Sequence, residues 1–109
     1  MPRDEVEAAY FTLLRAREEL SALQRWEEFL ADELRRMRRF DREGAALDDT
    51  VDRRLRRALR HTDGPLKEAL DARAAAIRDE QARLPDRVAA AQRFVEECER
   101  DHEALRRSR

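Results

Sequence analysis

The sequence predicts an all-α fold, in which two long helices form an antiparallel, coiled-coil-like hairpin with a short connecting helix. Three observations support this class. The 109 residues include two Gly and three Pro, too few for the turns of a multi-stranded sheet. Charged residues make up 45% of the chain, against a usual share of about a quarter. Apolar residues recur at alternating steps of three and four, which is the helical period. We expect a single helical domain over residues 1–109.

The first helix is predicted over residues 4–42. Neither Gly nor Pro interrupts residues 3–43, and the acidic residues near its start suit the positive end of the helix dipole. The apolar stripe has heptad-like spacing with one miss, at Glu27. It consists of Val6, Ala9, Leu13, Ala16, Leu20, Leu23, Leu30, Leu34 and Met37. Gly44 and the turn-forming residues 47–50 are predicted to end the helix.

A short connecting helix is predicted over residues 50–61. Val51, Leu55, Ala58 and Leu59 give it an amphipathic pattern. The run His61-Thr62-Asp63-Gly64-Pro65 is predicted to break the chain again, and Pro65 suits the first turn of the following helix because its missing N–H is not needed there.

The third helix is predicted over residues 65–106 and has the most regular stripe. A strict alternation of four and three indicates a helix that packs against a partner helix. Pro85 falls within the stripe without changing its phase, which predicts a kink near Pro85, or a break that restarts at once, and no change of direction. The stripe consists of Leu70, Ala74, Ile77, Gln81, Leu84, Val88, Ala91, Val95, Cys98, His102 and Leu105.

The two long helices are expected to pair as residues 4–40 against 66–105. One helix pair does not cover all the apolar surface of the first helix, and contiguous exposed apolar patches are rare on monomers. We therefore expect the chain to complete a four-helix-type bundle as a homodimer, or to bind another helical protein. The candidate partner-binding residues are Tyr10, Phe11, Leu14, Trp26, Phe29 and Phe40.

Charge is unevenly distributed along the chain. Residues 35–62 carry ten Arg and five acidic residues, whereas the whole chain has a net charge of −1. This basic segment is a candidate site for an anionic ligand or nucleic acid. The alternative is structural, since cations are favoured near a helix C-terminus and the interspersed acids can pair with them. The candidate anion-binding residues are Arg35, Arg36, Arg39, Arg53, Arg54 and Arg57.

No catalytic motif or cofactor site is recognised, and we expect no enzyme activity. Arg17 is the one mid-helix residue that suits binding of an anionic substrate. Cys98 and His102 share a helix face, and Glu99 with His102 forms a Glu-x-x-His pattern of the type found in di-iron bundles. Both Cys98 and His102 also fit the apolar stripe, so packing is the favoured interpretation and no metal site is predicted. The single cysteine excludes an intrachain disulfide.

One segment resembles, in part, the helical segment of the RsiG-type anti-sigma factors. That family recognises cyclic di-GMP through a Glu-x3-Ser-x2-Arg-x3-Gln-x3-Asp pattern. Aligned on Ser21, the chain matches at Ser21 and Asp32 and differs at the other three positions; a second partial copy spans residues 71–86. The aligned residues are Arg17, Ser21, Gln24, Glu28 and Asp32, and in the second copy Asp71, Ala75, Arg78, Ala82 and Asp86. The resemblance implies a bacterial regulatory hairpin that holds an anionic nucleotide and sequesters a transcription protein.

The sequence therefore favours a non-enzymatic helical module for protein–protein interaction or assembly. The alternative function is the anti-sigma-like hairpin, with its anionic ligand bound at the arginine-rich end. The longest apolar run is far shorter than the ~20 residues of a transmembrane helix, and the N-terminus lacks the apolar stretch of a secretory signal. We accordingly expect a soluble, cytoplasmic protein that does not bind membranes.

Overall fold

The computed structural model describes residues 2–108, with the side chains of Pro2, Arg3, Asp48 and Thr62 left out of the description. It contains two helices, α1 (Pro2–Asp48) and α2 (Arg53–Arg107). The described residues divide into two compact units, each pairing one segment of α1 with one of α2. Unit 1 comprises residues 1–27 and 83–109, and unit 2 comprises residues 28–82. The all-α class and the antiparallel pairing of two long helices are confirmed.

The predicted end of the first helix at residue 42 is wrong, because α1 continues through Gly44 to Asp48. Gly44 has no positive φ and so does not form a left-handed cap. A glycine inside a helix costs about 1 kcal/mol relative to Ala, and the helix formers Ala45, Ala46 and Leu47 follow it directly. Beyond Asp48, Thr50 closes the turn that follows the helix, since its backbone N–H and Oγ1 both donate to the carbonyl oxygen of Leu47, at 3.0 and 2.8 Å.

The predicted start of the second helical segment at residue 50 is also displaced. Asp52 precedes the first helical residue, and its Oδ1 accepts a hydrogen bond from the backbone N–H of Leu55 at 3.0 Å. This is the geometry of a helix N-cap, which satisfies one of the backbone donors left unpaired in the first turn. Residues 49–52 therefore form the whole connection between α1 and α2.

The predicted break at residues 61–65 is wrong, because α2 runs through Gly64 and Pro65. The predicted helical segments 50–61 and 65–106 therefore belong to one helix, which begins at Arg53. A proline in a helix interior removes one hydrogen bond at a cost of about 3 kcal/mol. His61 and Pro65 are exposed, so water can reach the carbonyl that this proline leaves unpaired. Pro85 is exposed as well, and α2 is unbroken there; the kink remains a prediction.

The predicted apolar stripes form the contact between the helices, which we call the seam. All nine stripe residues of α1 and all eleven of α2 are buried or half-buried. Glu27, the miss in the α1 stripe, is half-buried too. In unit 1, Leu13, Ala16, Val95 and Cys98 form one buried cluster, with Leu20 packed against it. The buried residues of unit 2 are Leu30, Leu34 and Ile77, all from the predicted stripes.

Ion pairs lie beside the seam and join the helices within each unit. In unit 1, Arg17 Nη2 is 3.4 Å from Glu99 Oε1, and each residue follows a seam residue by four positions. In unit 2, Arg73 Nη2 donates to Glu33 Oε1 at 2.8 Å, and each residue directly precedes a seam residue. Flanking positions of this kind carry the charges that set the orientation of paired helices. The charges thus support the same antiparallel register as the apolar stripes.

Candidate interaction surfaces

Many large apolar side chains lie outside the seam and are exposed. Because the seam residues already cover one another, these side chains contribute little to holding each helix pair together. They mark the surfaces on which another molecule would gain most by apolar burial. They are Tyr10, Phe11, Trp26, Phe29, Phe40, Leu47, Leu55, Leu59, Leu66 and Phe94, with exposed fractions between 36% and 67%.

An aromatic cluster of Tyr10, Phe11 and Leu14 lies on the α1 segment of unit 1. The Tyr10 and Phe11 ring centroids are 5.9 Å apart. Tyr10 also contacts α2, since its ring centroid is 5.6 Å from that of His102. Phe11 is 65% exposed and Tyr10 44%, whereas Leu14 is half-buried. The cluster thus leaves most of the Phe11 ring exposed, next to a Tyr10 ring that also contacts α2.

A shallow groove between α1 and α2 is the second apolar feature of unit 1. It is lined by side chains that are mostly small or apolar: Ala9, Thr12, Cys98, Asp101, Ala104 and Leu105. The Thr12 hydroxyl donates to the carbonyl oxygen of Ala8 at 3.0 Å, so its polar atom already has a partner. The groove can therefore accept an apolar side chain without leaving that hydroxyl unpaired.

The other predicted partner-binding residues are distributed between the two units. Trp26 belongs to unit 1 and is 41% exposed; Phe29 and Phe40 belong to unit 2 and are 44% and 52% exposed. Phe94 and Leu66 are not among the residues predicted from the sequence to bind a partner, although both are about half exposed. The sequence does indicate their exposure, because each of these two residues lies one position before a seam position and outside the buried stripe.

The predicted anion-binding arginines all lie in unit 2, and the structure divides them. Arg35 pairs with Asp32, and Arg36 Nε is 3.9 Å from Glu33 Oε2. Arg39, Arg53, Arg54 and Arg57 are exposed. Asp52, one of the acids available to neutralise them, is engaged as the α2 cap, and the first turn of α2 has no acidic residue. Asp52 keeps its negative charge as a cap, so it still offsets part of the positive charge of this segment.

Arg17, Cys98 and His102, which the sequence offers for catalysis or metal binding, all contact other side chains of unit 1. Arg17 donates a hydrogen bond to Glu99, so each of these two side chains already has a partner. Cys98 is buried in the unit 1 cluster, and burial raises the pKa of its thiol, with the charges of Asp101 and Glu97 adding to the effect. No group of three or more His, Cys, Asp or Glu residues within the described chain is arranged to hold a metal ion. Cys98 lies in the buried cluster of unit 1, and the His102 ring contacts the Tyr10 ring.

The first copy of the anti-sigma-like pattern, residues 17–32, lies entirely on α1. Arg17 is paired across the helices, Asp32 is paired with Arg35, and Ser21 is exposed on α1. Comparison of the chain with protein-family models, with curated proteins and with solved structures finds no match. Neither described helix is apolar over a stretch long enough to span a membrane. The features that bear on function are therefore the surfaces of the two units.

Proposed function

We propose that the protein is a non-enzymatic assembly module that self-associates through unit 1. The observation that carries this proposal is the 65% exposure of Phe11, in a unit whose seam is already filled by Leu13, Ala16, Val95 and Cys98. An exposed Phe11 ring adds little to the stability of the hairpin itself. It becomes favourable when a second surface covers the ring.

Unit 1 also contains a surface that can receive the ring. The groove beside Ala9, Thr12 and Ala104 is lined by small side chains, so an aromatic side chain from another copy can approach the backbone closely. A projecting ring and a receiving groove in the same unit permit a two-fold interface, in which each copy donates Phe11 and accepts the other's. Two helices from each copy would then form the four-helix-type bundle. An aromatic anchor at the centre of such an interface contributes about 2 kcal/mol or more.

The charged groups of unit 1 favour a structural role over catalysis. Arg17 and Glu99 neutralise each other, and the buried thiol of Cys98 has a raised pKa, which disfavours the reactive thiolate. His102 is half-buried against Tyr10. These contacts leave apolar burial as the main source of binding energy in this unit.

Sedimentation velocity over a micromolar concentration series tests the proposal. The wild-type chain should form dimers, and Phe11→Ser should shift it to monomer without loss of helix. Ala104→Phe, which fills the groove, should have the same effect from the other side of the interface. Leu47→Ser is the matched control. Leu47 is 67% exposed and Phe11 is 65% exposed, but Leu47 lies in unit 2.

Two results would contradict the proposal. One is a wild-type protein that remains monomeric over the whole concentration series. The other is equal dissociation in Phe11→Ser and Leu47→Ser, which would show that general surface hydrophobicity, and no particular unit 1 contact, causes association. Circular dichroism of each variant separates dissociation from unfolding, since all three positions are outside the buried seam.

A further inference from the structure

The seam ends well before the connection between the helices. Its last apolar members are Met37 on α1 and Leu70 on α2. Beyond them the seam register continues with polar residues or glycine, namely Asp41, Gly44, Arg60, Asp63 and Lys67. Over residues 38–69, every side chain within the described part of the chain is exposed except the half-buried Val51. Apolar burial therefore does little to hold this part of either helix in place.

The large apolar side chains of this region lie beside the seam register and do not fill it. Phe40 follows Glu33 by one heptad, and Leu66 precedes Arg73 by one heptad. Both therefore lie on the side of the Glu33–Arg73 ion pair. They are nevertheless 52% and 47% exposed. Even on this side, the helices near the connection are thus largely open to solvent.

Gly64 and Pro65 lie inside this exposed part of α2 and weaken it. Glycine and proline are the two residues that least favour a helix interior. Pro65 has no backbone N–H, so it leaves the carbonyl oxygen of His61 without its helical hydrogen bond. Neither a turn nor close packing requires glycine at position 64, since its φ is not positive and an added Cβ would meet nothing within 4 Å. The two residues therefore create a weak point in α2.

Pro85 lies in the same helix but in a different setting. It directly follows Leu84, which is 1% exposed, and the seam continues beyond it with the half-buried Val88. Burial of these side chains holds α2 against α1 across the missing hydrogen bond. No apolar seam residue precedes Pro65 in α2, and the first one after it is Leu70. The two prolines thus differ in whether packing supports the helix around them.

Residues 53–63, which we call the α2 arm, precede this weak point. The arm is shorter than the ~12–15 residues below which an isolated helix is marginal in water. Asp52 caps it, accepting a hydrogen bond from the backbone N–H of Leu55 at 3.0 Å. Against this, Arg53 and Arg57 are like charges four positions apart, and the first turn has no acidic residue. The arm therefore has a cap, but none of its described side chains is buried.

We propose that the α2 arm opens by local unfolding, with Gly64 and Pro65 as its hinge, while the seam stays closed. Opening breaks the helix at the hinge and moves the exposed Leu55 and Leu59 relative to the seam. Among the described residues, no buried side chain joins the arm to the end of α1, so residues 38–48 keep their helix when the arm opens. The hinge lies in unit 2 and does not depend on self-association through unit 1.

Hydrogen–deuterium exchange of the full-length protein, resolved by mass spectrometry, tests this inference. Amides of the α2 arm should exchange at least about 100-fold faster than those of residues 74–81, which lie along the seam of unit 2. Gly64→Ala should slow exchange in the arm about fivefold, which corresponds to ~1 kcal/mol. Pro65→Ala should slow it more strongly, because it restores the hydrogen bond to the carbonyl oxygen of His61.

Gly44→Ala is the matched control, because Gly44 also lies inside a helix and an added Cβ there would meet nothing within 4 Å. It should slow exchange in residues 41–48 and leave exchange in the arm unchanged. Pro85→Ala should leave exchange in the arm unchanged as well. Each of these variants replaces a poor helix former by alanine, so far-UV circular dichroism should show no loss of helix.

The inference is overturned if amides of the arm exchange as slowly as those of residues 74–81. It is also overturned if Gly44→Ala and Gly64→Ala slow exchange in the arm equally, which would show that both helix ends open together. Phe11→Ser separates the two proposals, since it should abolish self-association and leave exchange in the arm unchanged. Slower exchange of the arm in the wild type than in Phe11→Ser would show that a second copy holds the arm closed, which contradicts the inference.

Discussion

Replacing Leu84 by Ala should destabilise the helix pair of unit 1 strongly. Leu84 is 1% exposed and is the largest fully buried side chain among the described residues. The change removes three carbon atoms, which at ~0.8 kcal/mol per buried methylene is about 2.4 kcal/mol of transfer free energy. A cavity adds to this, although a two-helix seam can partly close around it, so we expect a total of about 3 kcal/mol.

Leu66→Ala is the matched control, because Leu66 is 47% exposed and should cost about 1 kcal/mol or less. Both changes exchange two good helix formers, so helix propensity contributes little to the difference. Urea unfolding followed by far-UV circular dichroism measures both, in a Phe11→Ser background where self-association does not contribute. A loss below about 1 kcal/mol for Leu84→Ala, or equal losses for the two variants, would show that the seam does not hold the helices together in solution.

Three further predictions concern charges and caps. Arg17→Glu should lower the free energy of unfolding by up to about 1 kcal/mol, and adding Glu99→Arg should restore it. Both effects should be smaller at high salt, and a double-mutant cycle by urea unfolding measures them. Asp52→Ala should cost about 1 kcal/mol in thermal unfolding by removing the N-cap, while Asp52→Asn should cost much less, and equal losses would argue against the cap. Burial raises the pKa of the Cys98 thiol above its ordinary value of 9.0. The unfolded chain therefore loses this proton first as the pH rises, so the thiol's contribution to stability is complete below pH 9 and declines above it. Cys98→Ala should unfold with a shallower loss of stability above that pH, and an unchanged slope would contradict the burial argument.

The seam could be predicted from the sequence because the spacing of apolar residues and the burial of side chains have the same physical cause. From Arg53 to Ser108, the described side chains that are not exposed are those of the predicted α2 stripe and Glu80. Glu27 shows the limit of the pattern, since it occupies a seam position and is half-buried despite its charge. A stripe predicts which positions are covered better than it predicts which residue types will be found there.

The breaks could not be predicted from local residue types alone. Gly44 and the Gly64-Pro65 pair suggested helix ends, yet both lie inside helices. A helix ends where capping groups satisfy its unpaired backbone donors and acceptors, and the caps lie at Thr50 and Asp52 instead. Continuity across Gly64-Pro65 was visible in the spacing of Leu59, Leu66 and Leu70, which keeps a helical phase. The apolar stripe likewise keeps its phase through Pro85.

The surfaces were only partly predictable. Exposed aromatics such as Phe11 and Trp26 could be recognised because they fall outside the stripe, and the structure leaves both open to solvent. The arginine cluster was visible in the composition, but its environment was not. The Asp52 cap is a local contact with Leu55, whereas the position of Phe40 and Leu66 on the side of the Glu33–Arg73 pair depends on the register between two distant segments.

The change in the seam register from apolar to polar residues separates two roles along the same pair of helices. With leucine at positions 41, 44, 63 and 67, the seam would continue toward the connection, and the chain would gain stability from apolar burial. It has Asp41, Gly44, Asp63 and Lys67 instead, while leucines occupy neighbouring positions that face solvent. The chain therefore lacks the stability that apolar burial at these four positions would supply. The part of unit 2 nearest the connection thus has polar residues or glycine at these seam positions and exposed leucines beside them.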